Sequence, residues 1–537
     1  MATTVRSTRS AGTAQCVGRR ALAGACIEPR GGRLGALCAW SGVLALLCVS
    51  GSASAQKVRF EGGVAADATW TSNALIGLDQ PKSDTIIGIR PHFGIRLDAP
   101  SLQVAGALSL AGVAYANGSR PSSLSPTADL NARFEAVQRF LFLEAALRST
   151  QTSENPFGIN SGGATNANRL TTTQTRFSPY IDAYAGPDVR YRLRSDNVRT
   201  TASGRTFSQD APSPSGYFGR HSGSIEHQPR PIGWGLEAER SETRYNDSLQ
   251  PKVVFELARA KLDYAAGPDL SVGLRAGAER DSLLNGNNRH PVYGLQMKWQ
   301  PSERTLLTAF EEHRFYGKSW QAAFDHRNPH LAWNMRFSRG IETAPQGLFE
   351  LPASNNVAAL LDAMFTTRIP DPAERARKVQ DFIASQGLPT ETLRSTNIYS
   401  QRLSLTSSGN VTVALIGAQN TLAFSAFYSR SEDAPDAGLL ATGRVINNNT
   451  QTGGSVVFSR SLSSLTTVSV ALDWSRIRAL ESIAVDQTKQ AGASVQANVR
   501  LGPKTTLSLG THYRKLGSNV VVGGHEVAVF GGMNHDF

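Results

Sequence analysis

Beyond residue 56, apolar and polar positions alternate with a period of two along most of the chain. Tyr293, Leu295, Met297 and Trp299 alternate with Gly294, Gln296, Lys298 and Gln300. Val468, Val470, Leu472 and Trp474 do the same against Ser469, Ala471, Asp473 and Ser475, and the runs 232–239, 331–337 and 493–501 repeat the pattern. A period of two predicts strands with one apolar face. Alternation alone would also suit a soluble sandwich. Three features point instead to a membrane barrel. The runs reach ~10 residues, the length of a tilted membrane crossing rather than the ~5–6 of a soluble strand. Trp and Tyr stand near the ends of the stripes, as interfacial girdles require, and the off-face residues are charged or amide-bearing, as a wet lumen requires.

The connections support the same fold. Tight Pro-containing turns recur at Asp98-Ala99-Pro100, Gly186-Pro187-Asp188, Gly267-Pro268-Asp269, Gln300-Pro301-Ser302 and Gly502-Pro503-Lys504. Longer polar loops, such as 149–169, 196–215, 281–290 and 432–449, fall between them. Short periplasmic turns and long outer loops are the asymmetry of outer-membrane barrels. From about Lys57 the rule gives one all-β, antiparallel transmembrane barrel over 56–537 of about 22 strands (roughly 18–24), with both ends on the short-turn side. The chain ends on Phe537, closing a strand from about Gly524 with Val527, Val529 and Met533 on one parity. Phe537 is therefore the expected signal for barrel-assembly machinery.

Residues 348–390 break the alternation and predict two short helices. Ser354 or Asn355 caps the first, with Val357, Leu360, Leu361 and Met364 on one face. The second has Asp371 at the N-cap, Pro372 at N1 and Glu374 at N3, carries Val379, Phe382 and Ile383, and stops at Gly387 before Pro389. Helices this short are marginal alone. The pair is expected to dock in or over the lumen on the extracellular side, as a plug or cap, with the wall offering partners for Arg375, Arg377 and Lys378. A decorative surface hairpin is the alternative.

The N-terminal 55 residues add an address. Six Arg against one Glu precede an apolar run over 34–49 and the small-residue stretch Ser52-Ala53-Ser54-Ala55. This predicts a secretory signal peptide over 1–55, cleaved before Gln56, in preference to a membrane anchor. Leu47 before Cys48 argues against a lipoprotein anchor. All four cysteines fall in that segment, so the predicted mature chain has no thiol chemistry. Processing removes six of 55 basic and one of 43 acidic residues and leaves +7. The arginines are dispersed, which argues against nucleic acid and suits a positively charged lumen or a rim facing lipopolysaccharide. Strands begin almost at once after Gln56, which leaves no room for an N-terminal plug domain and disfavours a TonB-dependent receptor.

No HExxH, P-loop, GxSxG, EF-hand or dinucleotide motif occurs. Asp325-His326 and His330 flank a turn. Glu311, Glu312, His313 and Arg314 form the densest charged cluster on a strand, but neighbours on a strand face opposite ways. No catalytic, cofactor-binding or metal residue is assigned.

The strand ending Thr69-Trp70-Thr71-Ser72-Asn73, the pair around Phe140-Leu141-Phe142-Leu143-Glu144-Ala145, and Ile369-Pro370-Asp371-Pro372-Ala373-Glu374-Arg375-Ala376 carry a resemblance. The mature chain resembles the uncharacterised outer-membrane β-barrel family associated with the PEP-CTERM/exosortase system, found in exopolysaccharide loci. It departs from that family in Ser72, where the family carries Asp. The resemblance implies the outer membrane of a Gram-negative bacterium and partners among exopolysaccharide export components, besides outer-membrane lipid. The expected function is a conduit or structural component with no chemistry of its own. The alternative is a barrel hydrolase acting on lipid, polysaccharide or surface protein, its site assembled from distant strands.

Overall fold

The computed structural model describes residues 57–76, 80–153, 157, 169–203, 215–246, 252–283, 288–343, 357–366, 368–370, 372–386, 388, 403–434, 448–480 and 486–537. The predicted signal peptide and its cleavage point lie outside the described residues, as do Asp371, Gly387, Pro389 and both candidate caps of the first helix.

The strands are β1 (Lys57–Thr71), β2 (Asp84–Asp98), β3 (Leu102–Tyr115), β4 (Ser123–Val137), β5 (Leu141–Ser153) and β6 (Arg169–Ala185). Next come β7 (Val189–Ser203), β8 (Gly216–His227), β9 (Ile232–Tyr245), β10 (Val253–Ala265), β11 (Leu270–Asp281) and β12 (Asn288–Ser302). They continue as β13 (Thr305–Arg314), β14 (Gly317–Arg327), β15 (Leu331–Thr343), β16 (Leu403–Ile416) and β17 (Asn420–Asp433). The last are β18 (Asn449–Ser461), β19 (Thr466–Ala479), β20 (Gln487–Arg500), β21 (Thr505–Ser518) and β22 (Gly524–Asp536). Each pairs antiparallel with the next, and β1 pairs with β22 from Gly63↔Asp536 to Thr71↔Ala528, closing a 22-stranded barrel. Closure leaves no strand edge.

The two ends of the barrel differ. Ten connections at one end have two to four residues each. Those at the other reach 59 residues, at 344–402 between β15 and β16. Gly186 (φ 71°) serves one short turn, and Gly317 (φ 94°) follows Phe315–Tyr316, the tightest connection at the long-loop end. Strands run 10 to 17 residues. β5 and β7 extend further into the predicted loops 149–169 and 196–215 than apolar alternation indicates. Ladder hydrogen bonds continue above the lipid, where an apolar face is no longer required.

The apolar faces read from the sequence point outward. Leu262, Leu274 and Leu295 stand opposite one another on β10, β11 and β12, and each is more than half exposed, with Trp234 of β9 beside Leu262. On β17 and β18, Leu422, Phe424 and Phe458 are exposed in the same way, whereas Ala423 and Val457, of opposite parity, are buried. A belt of this size suits hydrocarbon rather than water. The fold is a transmembrane β-barrel of outer-membrane type. Phe537 extends the closing strand, donating its N–H to the Gly62 carbonyl at 2.7 Å while its ring stays exposed.

Candidate functional site: the plugged lumen

The insert supplies α1 (Val357–Phe365) and α2 (Pro372–Gln386). They pack on each other, Phe365 edge-on to Phe382 with ring centroids 5.7 Å apart. Arg375 Nε donates to Asp362 Oδ1 at 2.8 Å, and its Nη1 to the carbonyls of Ile369 and Pro370. The described partners of Arg375 thus lie within the hairpin, which departs from the expected contact with the wall. Arg377 and Lys378 are exposed.

The apolar stripe is seated on the barrel. Val357, Leu360, Leu361, Met364, Val379, Ile383 and Leu388 are buried with Ala332, Ala414, Ala423 and Val457, and Phe382 and Ala471 pack at the edge. Those wall residues have inward parity and face one another along the register, Ala332↔Ala414↔Ala423↔Val457↔Ala471. Small inward side chains leave room for two helices inside the barrel. Polar contacts fix the depth. Arg327 Nη1 donates to the Ala363 carbonyl at 3.3 Å, Gln386 Nε2 to Ser461 Oγ at 2.9 Å, and Ser459 Oγ to the Gln386 carbonyl at 2.5 Å.

Arg327 ends β14 and Ser461 ends β18, both beside short turns. The hairpin is inserted from the long-loop end yet is seated at the short-turn end, whereas the sequence led us to expect a seat at the long-loop end. Reach explains the difference. A 14-residue strand is ~46 Å long, and the 13 residues from 344 to 356 span up to ~43–47 Å when extended.

The lumen has two unlike walls. Between their ends, β16 to β20 turn inward mostly Ser, Thr, Asn, Gln and Ala, with one charge, Asp473. The hairpin lies along this side, with α1 by β15 and α2 by β18–β20. Across from it, β5 to β14 carry an ionic lattice. Arg194 binds Glu144 (2.7 Å) and Asp196 (2.8 Å), while Arg190 and Arg192 share Asp182. Glu312 is fully buried between Arg259 (2.9 Å) and Arg275 (3.0 Å), and Arg314 holds Glu279 at 2.5 Å. Arg275 also lies 4.5 Å over the Phe310 ring. A cavity of about 1020 Å³ lies between Leu360 and Ala363 of α1 and the wall residues Phe310, Asp325 and Arg336.

The strand cluster divides by parity. Glu312 and Arg314 point into the lattice, whereas Glu311 pairs with Lys318 (2.9 Å) and His313 stacks on Tyr293 outside. Asp325 pairs with Arg336, His326 meets Thr305 Oγ1 and His330 meets the Ile416 carbonyl, so the three do not converge. Among the described residues no group of three or more His, Cys, Asp or Glu is placed to hold a metal.

Described residues also bridge the long-loop end. The tips of β9 and β15 meet through Thr243 and Thr343 (3.1 Å). Nearby, Phe315 packs with Phe255 and Ile341 against the cluster of Val253, Leu283, Leu403 and Ala434. Phe157 is completely buried against Ile477 and Ala479, and its carbonyl accepts from Thr488 Oγ1 at 3.0 Å. Sequence reasoning missed these bridges, which no local motif announces.

No family model and no curated protein matches the chain. Among solved structures it is similar to a mutant ferric enterobactin receptor of Pseudomonas aeruginosa in complex with enterobactin: 9% identity, 91% of this chain and 82% of that one, TM-score 0.46. A siderophore receptor of Acinetobacter baumannii gives 7% identity over 90% and 81% of the two chains, with TM-score 0.44. OpdK of P. aeruginosa, solved with vanillate, gives 8% identity over 89% and 99%, with TM-score 0.34. At these identities and scores the likeness carries no functional argument, and the strand register itself establishes the fold.

Proposed function

We propose that this chain is an outer-membrane conduit of a Gram-negative bacterium, held shut by its own α1–α2 hairpin, with the short-turn end periplasmic. One observation carries the reading: an apolar hairpin occupies the lumen against a wall of inward Ala and Val, while the charged wall opposite faces the cavity. A merely structural barrel has no need of that complementarity. Transport requires the hairpin to shift or leave, and the charged wall then lines the path. The resemblance in strands and insert supports cargo from exopolysaccharide export or PEP-CTERM protein sorting.

Two experiments test the reading. Replacing 348–390 with a short Gly/Ser loop is expected to leave a folded, heat-modifiable barrel and to sensitise cells to large antibiotics. A folded deletion with unchanged permeability would show that the hairpin is not the barrier. Removing the protein from its native host is expected to lower surface polysaccharide or sorted surface protein, and normal levels of both would exclude that cargo.

A further inference from the structure

The outer surface carries an unbalanced basic row at the long-loop end of β17–β21. On three of these strands an exposed aromatic is followed, two residues toward that end, by a cation: Tyr428 then Arg430, Trp474 then Arg476, Tyr513 then Lys515. Arg478 continues the row on β19, and Lys489 fills the gap on β20. Successive same-face residues are ~6.6–6.8 Å apart, so the cations stand just above the aromatic girdle, at headgroup depth.

Arg476 and Lys489 are direct cross-strand partners. Like charges placed opposite one another destabilise a ladder. Among the described outward residues of β17–β21 the one carboxylate is Glu432, already paired with Arg430. Arg476 has a neutral partner, the Gln487 side-chain oxygen at 2.7 Å, and Arg478, Lys489 and Lys515 are exposed. The opposite flank is different: there Glu256 bridges Arg240 and Arg280, and Glu311 holds Lys318. Among the described residues no carboxylate of β18–β21 pairs with Arg476, Arg478, Lys489 or Lys515, which leaves these four cations placed to take an anion at the membrane surface.

We propose that Arg476, Arg478, Lys489 and Lys515 form a binding site for the phosphate groups of a phosphorylated lipid in the outer leaflet, with Trp474 and Tyr513 against its acyl–headgroup boundary. Guanidinium and ammonium groups suit phosphate, and clustered cations beside a membrane strengthen anionic-lipid binding additively. The leaflet rests on the reading above, in which the long-loop end faces outward.

The test uses the purified, delipidated full barrel in a neutral detergent, with thermal unfolding as readout. Diphosphorylated lipid A is expected to raise the melting temperature. Dephosphorylated lipid A, phosphatidylethanolamine and inorganic phosphate are expected to leave it unchanged. The combined Arg476→Gln, Arg478→Gln, Lys489→Gln and Lys515→Gln variant is expected to bind lipid A more weakly by roughly two to three orders of magnitude, whereas Arg240→Gln with Arg280→Gln binds normally. Lys489→Glu supplies the missing carboxylate, and is expected to raise the lipid-free melting temperature while weakening the lipid response. Equal responses in wild type and the fourfold variant, or a response to free phosphate alone, would overturn the site. An epitope between Val520 and Val521 reports orientation separately. If it is inaccessible on intact cells, the leaflet assignment falls with the orientation; if it is accessible and lipid dependence is lost, the site alone falls.

Discussion

Val457→Asp should unseat the hairpin without touching it. Val457 lies on the inward face of β18, is 5% exposed, and contacts the plug cluster between Ala423 and Ala471. With the hairpin in place a carboxylate there has no cation in the cluster, and an uncompensated buried charge costs about 3–5 kcal/mol. With the hairpin displaced, the same carboxylate faces a wet lumen beside Ser455 and Ser459, where inward polar groups are the rule. The seated-to-displaced ratio therefore falls by roughly 150- to 4,000-fold, while the barrel keeps its fold. Protonation removes that charge, so seating is favoured as pH falls and weakened as pH rises. Single-channel recording should show frequent opening at neutral pH and fewer openings in acid, with Val457→Ala close to wild type. A well-folded Val457→Asp barrel as quiet as wild type at neutral pH would refute the assigned seat.

The ionic lattice makes Glu312→Gln costly: Arg275, 5% exposed, loses its nearest carboxylate, and breaking a buried pair of this kind costs about 3–5 kcal/mol. The urea midpoint of the barrel in detergent should drop, and an unchanged midpoint would show that the lattice is not stabilising. Deleting Phe537 should lower outer-membrane levels through loss of its bond to Gly62 and of the exposed terminal ring; normal levels would make the terminal aromatic incidental. N-terminal sequencing of protein from membranes should begin at Gln56, and retention of residues 34–49 would end the signal-peptide reading.

Strand number and parity could be read from the chain because lipid imposes a binary rule on every other residue, and short turns carry Pro and Gly at their corners. The outward runs at 293–299 and 468–474 are among the clearest cases. Helix ends were also visible: Pro372 opens α2, and the first apolar residue of the 357–364 stripe opens α1. The seat was harder to read. Its marks are inward Ala332, Ala414, Ala423 and Ala471, and alanine neither fits nor breaks an apolar/polar pattern. The 59-residue connection set no depth, since it could reach either end of the barrel. The lattice needed register, because Arg194 meets Glu144 fifty residues away, across the β5–β6–β7 ladders. The bridges at Thr243–Thr343 and Phe157 depend on how strand tips fold over the opening, and neither period nor spacing encodes that.

The gate can be locked in place. Outside the first 48 residues the chain has no cysteine, so Gln386→Cys with Ser459→Cys introduces a single thiol pair at two positions whose side chains already meet, Ser459 Oγ lying 3.3 Å from Gln386 Oε1. Combined with Val457→Asp, the pair can be oxidised and reduced in a planar bilayer while conductance is recorded. Oxidation is expected to abolish the openings, and a reductant to restore them within the same membrane. Conductance that persists with the disulfide formed would contradict a lumen gated by this hairpin.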